Sequence, residues 1–376
     1  MDFVEAPDAA HPLAPENLAK TPPPRSRPSG PGRRSRLFWI LAVLSVPALA
    51  VYCLTLGPYA IDSGILWHLL ASIFSTTSAP AAQDAVTAHY IVFHLRLARI
   101  VLALVVGAAL ALSGTVYQGI LLNPLADPFT LGVSTGAAFG ASLTILGGWA
   151  SWKLAGMSLL PAAAFAGAVG ALSLAMVLGR LQGRMHPTTL VLAGIIVSTF
   201  LSAGISLLKS LHEESLSAIV FWIMGSLSGR SWRHVLAVLP YMAAGSWVVF
   251  TYAREMDLLA LGDTAAYHSG VDTQKVRRRL LGAASLVAAA AVAVSGVVGF
   301  IGLVVPHVAR LCLGPSHRRL LPASMILGAV LTLVSDTLAR TVLSDGREIP
   351  LGVVTALLGA PFFAYLLVHK KRSVVL

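Results

Sequence analysis

The sequence predicts an all-α polytopic membrane protein with ten transmembrane helices arranged as an inverted internal repeat. Three observations carry that expectation. The composition is 56% hydrophobic and only 11% charged, with a mean hydropathy of +0.78, outside the range of soluble domains. Residues 100–126 contain no charged side chain, and at about 1.5 Å per helical residue this run exceeds what a hydrocarbon core requires. Finally, ALALSG at 109–114 recurs as AVAVSG at 291–296, with Pro124 and Pro306 at the same offset, which marks an internal duplication.

Taken in order, residues 1–36 are rich in proline and hold Arg25, Arg27, Arg33, Arg34 and Arg36. They read as a disordered cytoplasmic tail, retained because no cleavage pattern follows. Spans are expected at 37–57, 97–119, 131–149, 157–179, 188–208 and 235–253, and, after a basic loop at 254–279, at 320–340 and 350–368. The uncharged run 280–309 reads either as one tilted helix, giving nine spans, or as two short helices broken around 296–302, giving ten. Lys and Arg gather in short cytoplasmic loops. Ten spans with both termini cytoplasmic sort these residues to one side better than nine. The second and seventh spans, which carry the repeated motif, then run in opposite directions, as in transporters built from inverted halves. Residues 215–229 are uncharged but too short to cross, so they read as interfacial or re-entrant, with Phe221 and Trp222 suited to that depth.

Several function classes are disfavoured. The net charge of +11 sits in loops between spans rather than in an aromatic-interleaved basic patch, so no nucleic-acid partner is expected. Cys53 and Cys312 lie in apolar runs without ligand spacing, which argues against a disulfide framework or a metal site. No GxxxxGK[ST], no metal-spaced His/Glu cluster and no GxSxG elbow occur, so neither a cofactor nor a catalytic residue is assigned. Within the spans, Asp336 with Arg340 one turn later reads as a self-neutralising pair. An ion-gradient-driven secondary transporter, the competing class, would need a freer intramembrane acid. The energy is therefore expected from a partner.

The motifs point further. RLAR at 96–99, VGAALALSG, Gln118, NPLA at 123–126 and LGVSTG at 131–136 resemble the permease subunits of ABC importers for iron chelates and cobalamin. GFIGLVVPHVARL from Gly299, HRRLLP at 317–322 and IPLGVVTALLGAP at 349–361 agree, so the resemblance covers about 37–372. It implies a ten-span permease that works as a homodimer in the bacterial inner membrane, with two ABC ATPase subunits below and a periplasmic binding protein above. The cargo it implies is an iron chelate (ferric siderophore or haem) or cobalamin.

The resemblance also implies three sets of site residues. Arg96, Arg99 and Arg340 would dock acidic residues of the binding protein, a task suited to bidentate guanidinium groups, the alternative being snorkelling anchors. The loop 254–279, with Leu258, Leu261, Gly262, Asp263, Ala265, Ala266 and Gly270, resembles the coupling helices that seat on an ATPase. Its apolar residues recur at helical spacing, against the alternative of a solvated basic loop. Asn123, Leu125, Pro187 and Thr188 match positions that constrict the cytoplasmic side of the pathway, against the alternative of helix-terminating turns.

Overall fold

The computed structural model describes residues 33–57, 59, 64, 83–154, 156–181, 183–343 and 346–374. Most of the proline-rich tail lies outside the described residues, and 33–36 form the first turn of α1 (Arg33–Thr55). After α2 (Gln83–Tyr90), a π-helical segment (Ile91–Arg96) runs without interruption into α3 (Leu97–Ile120). The chain continues through α4 (Val133–Leu146), α5 (Leu159–Leu178), α6 (Pro187–Leu211), the short α7 (Leu216–Ile223) and α8 (Trp232–Thr251). Two short helices, α9 (Ala253–Leu259) and α10 (Asp263–His268), lead into α11 (Thr273–Ser295), α12 (Ile301–Leu313), α13 (His317–Thr341) and α14 (Leu351–Val374). Two-residue strands form tight hairpins before α5 and before α6.

Among the described residues, seven helices are long and apolar enough to cross a membrane, and Val133–Leu146, Ile301–Leu313 and Leu351–Tyr365 are shorter apolar helices. Local chemistry sets the starts. Ser158 accepts a hydrogen bond from Leu160 N (3.2 Å) ahead of α5, and Asp272 accepts one from Lys275 N (3.0 Å) ahead of α11. Pro187 opens α6 at a position where its missing N–H costs nothing.

The run 280–309 divides: α11 stops at Ser295 and α12 begins at Ile301. Gly296 and Phe300 both have positive φ, +68° and +67°, a backbone that no helix continues through. The freed groups find partners in the turn after α7. Ser226 N donates to Ser295 O (2.7 Å), and Leu351 N and Gly352 N donate to Gly225 O (2.9 Å) and Met224 O (3.0 Å). The 215–229 stretch thus supplies a short helix and then a turn that knits the ends of α11 and α14, with Phe221 exposed and Trp222 half-buried.

The core is built on α3 and α11, which are buried on all sides over most of their length. They pack on each other; α3 also packs on α12 and α13, and α11 on α4 and α5. Small residues permit the closeness. A Cβ on Gly114 would fall 1.9 Å from Gly302 O, and one on Gly107 2.2 Å from Gly328 O, so these backbones touch directly, as in other membrane helix pairs.

Candidate functional site

Three groups of residues carry the candidate functions, and they lie at two ends of the bundle. At one end, where α1 and α13 finish and α3 begins, are Arg96, Arg99 and Arg340. All three are engaged by their own chain. Arg96 and Arg340 are each only 5% exposed. Arg96 Nη1 donates to Leu54 O (2.7 Å) and its Nη2 to Tyr59 O. Arg340 donates to Cys53 O (2.9 Å) and Leu56 O (3.1 Å). The two side chains therefore fasten the end of α1 and satisfy carbonyls that the helix terminus leaves without intrahelical donors.

Arg99 lies between two carboxylates. Its Nε donates to both oxygens of Asp336 (3.0 and 2.9 Å) and its Nη2 to Asp336 Oδ1 (2.9 Å). Nη1 and Nη2 donate to the two oxygens of Glu348 (2.8 and 2.9 Å). This corrects the expectation that Asp336 neutralises itself against Arg340. Arg340 Nε stands 3.9 Å away, and the principal counter-ion is Arg99, brought across from α3. A planar guanidinium with five donors can serve two carboxylates in this way. Glu348 was not singled out in the sequence; a carboxylate beside Arg347 just after α13 was the available signal.

At the opposite end lie the loop 254–279 and Asn123, Leu125, Pro187 and Thr188. The loop folds as α9, a turn at Gly262 with φ +101°, α10, a turn at Gly270 with φ +83°, and the start of α11. Its apolar residues do not share one outward face, as their spacing suggested. Ala266 is fully buried and Leu258 half-buried against the bundle, whereas Leu261, 72% exposed, and Ala265 face outward. Tyr267, 71% exposed, joins them. The reason is that the glycine turn breaks the single helical period into two short helices, so i, i+3 and i+4 no longer describe a common face.

Asp263 is held by Arg277, whose Nη2 donates to Asp263 Oδ1 (2.6 Å) and Nη1 to Oδ2 (3.3 Å). Arg277 is wholly buried, although it looked like one more cytoplasmic charge in a basic run. Its remaining donors reach Met185 O (2.9 Å) and Ile120 O (3.3 Å). Ile120 ends α3 just before Asn123, and Met185 lies two residues before Pro187, so one side chain connects the loop to both of these segments. Gln274 adds to this by accepting from Met185 N (2.7 Å). The other side of the loop is fixed by Asp257, which accepts from the His317 amide (2.8 Å), His317 Nδ1 (2.7 Å) and Ser316 Oγ (3.2 Å) at the start of α13.

Asn123, Pro187 and Thr188 come together, with Leu121, Leu122, Val191, Leu192 and Ile195, around a hollow of about 400 Å³. Leu125 stands beside it rather than in its wall, 46% exposed, with its amide donating to Asn123 Oδ1 (2.9 Å). Leu122 takes a left-handed backbone, φ +50°, which a non-glycine residue adopts only where surroundings impose it. Nearby Arg310, in α12, donates to Gln118 Oε1 (3.4 Å), and Gln118 donates to Gly302 O and Leu303 O (3.2 Å each).

No group of three His, Cys, Asp or Glu side chains suited to hold a metal occurs among the described residues. Apolar helices around a small-residue core, with a hollow at one end tied to an exposed loop, are an architecture suited to a membrane-embedded transport permease. The chain belongs to the FecCD transport family, whose model matches residues 41–369. It is 41% identical over 334 residues to the cobalamin import system permease protein of Halobacterium salinarum, covering 88% of this chain and 87% of that one. It is 38% identical over 341 residues to the hemin transport system permease protein of Yersinia pestis, covering 90% and 97%. Among solved structures, it superposes with a TM-score of 0.75 and 33% identity on a transporter described as of metal-chelate type in an inward-facing conformation, covering 89% of this chain and 99% of that one.

Proposed function

We propose that this chain is the permease subunit of a binding-protein-dependent ABC importer that carries an iron chelate or cobalamin across the bacterial inner membrane. It acts as a homodimer, with two ABC ATPase subunits on the cytoplasmic side and a periplasmic binding protein on the other. The observation that carries this reading is the Arg277 connection between the exposed loop and the gate. A secondary transporter has no use for an outward-facing apolar loop whose anchor reaches both gate strands. Asp336, the acid such a transporter would need, is occupied by Arg99.

In this reading the bundle has ten spans with both termini cytoplasmic, the three short helices crossing with help from irregular backbone such as 296–300. The reciprocal packing supports an inverted repeat: α3 lies on α12 and α13 as α11 lies on α4 and α5. Leu261, Ala265 and Tyr267 seat on the ATPase. Nucleotide-driven movement there shifts Asp263 and, through Arg277, the chain at Ile120 and Met185. The hollow walled by Asn123, Pro187 and Thr188 widens or closes in response, with Leu125 at its rim. At the periplasmic end, Arg96, Arg99 and Arg340 support the docking platform from beneath by holding the end of α1 and the Glu348 segment in place.

The test is uptake into proteoliposomes with ferric siderophores, haem and cobalamin offered in parallel. Accumulation of a cargo only when this chain, its ATPase and its binding protein are all present is the expected result. Accumulation by this chain alone, abolished by collapsing an ion gradient, would overturn it.

A further inference from the structure

Beside the irregular backbone at the start of α4 lies a second hollow, of about 230 Å³, lined in part by Ser134, Thr135, Ser202, Ser206 and Lys209. It is distinct from the gate. Thr130 and Leu131 pack on Gly194 and Gly132 on Ser198, so α4 begins about two to three turns into α6, and the hollow lies beyond that level toward the end of α6.

Three features of this hollow share one chemistry. It presents four hydroxyl side chains and a single cation, Lys209, in the last turn of α6. Lys209 has no carboxylate or hydrogen-bond partner among the described residues. Ser134 is 1% exposed and its Oγ is buried without a hydrogen-bond partner, so it has donor and acceptor capacity that a water or a ligand can take up. Ser134 and Thr135 stand in the first turn of α4, whose N-cap Gly132 supplies no side-chain cap. Hydroxyl groups and a cation converge with no acidic side chain in the wall.

We propose that this hollow is a cargo subsite for a carboxylate, bound by Lys209 and the Ser and Thr hydroxyls. It rests on the importer reading and narrows it, because it selects acid-bearing chelates, such as haem with its propionates or a ferric citrate complex, over carboxylate-free cobalamin. A hydroxyl-lined pocket of this size is too small for a whole chelate. It grips one acidic arm of a larger cargo while the rest lies in the pathway, with the exposed Ser202 and Ser206 at its mouth.

The test is equilibrium binding to the full chain in lipid nanodiscs, without ATPase or binding protein, so that its outcome is independent of uptake. The probes are haem, haem dimethyl ester and ferric dicitrate, each titrated against wild type, Lys209→Gln and Lys209→Arg. Haem and ferric dicitrate are expected to lose about tenfold in affinity with K209Q, the order expected for hydrogen bonds to a charged group, and to regain most of it with K209R. The ester is expected to bind wild type as weakly as haem binds K209Q and to be indifferent to the substitution. Equal affinity of wild type and K209Q for both acids, no measurable binding of either, or ester and acid binding alike would each overturn the subsite and leave the importer reading standing.

Discussion

Arg99 and Asp336 show what a single buried charge demands of this fold. Asp336 is wholly buried and Arg99 nearly so, and removing either takes away the other's principal counter-ion. Asp336→Ala is expected to destabilise the protein by about 3–5 kcal/mol, read as a lowered melting temperature in detergent. Glu348→Gln should shift it far less, because Glu348 remains partly exposed and its interactions are screened by solvent. Arg277 makes the corresponding functional case. Arg277→Met leaves Asp263, Met185 O and Ile120 O without their donor, and we expect ATP hydrolysis by the assembled importer to persist while uptake falls about tenfold or more. Equal loss of both activities would instead mark Arg277 as merely structural. These two arginines also show where the sequence is mute. RLAR at 96–99 stands out as a motif, but nothing local says that its second arginine reaches a residue on α13. Arg277 is one of three consecutive arginines, and only packing buries it while Arg278 and Arg279 stay exposed.

At the scale of elements, the close helix contacts set the tolerance to substitution. Gly114→Ala would force α3 and α12 apart and Gly107→Ala would force α3 and α13 apart, each at an expected cost of about 1–3 kcal/mol. Gly282 in α11, where a Cβ would meet nothing within 4 Å, gives the contrast. Gly282→Ala should raise stability by about 0.5–1 kcal/mol through helix propensity alone. Thermal unfolding of the three variants side by side reads both effects. Long apolar helices were legible in the sequence because hydrophobicity and length define them. The division of 280–309 was legible through its glycines, though not the positive φ at Phe300, which depends on the turn after α7. Loop 254–279 is legible as a loop, but its spacing predicts a single apolar face where the fold makes two short helices. Gly262 was noticed for its place in a motif, and its effect on helical phase is a property of backbone geometry that spacing does not contain.

For the whole molecule, the two ends are specialised differently. One is held by buried charge, while the other carries an exposed apolar loop and a hollow joined by a single side chain. The chain's membership in a transport family was legible from motifs spread over most of its length, while the carboxylate hollow was not, because Ser134 and Lys209 belong to different helices and meet only after folding. The charged end has a consequence for how the protein is made. Arg99 precedes Asp336 by 237 residues, so at 5–20 residues per second its counter-ion emerges from the ribosome about 10 to 50 s later. Throughout that interval the nascent second span carries an uncompensated guanidinium at the membrane. A chain whose synthesis stops before α13 never acquires the neutralising acid, so an aborted product differs from a finished one by an unpaired guanidinium and not by length alone.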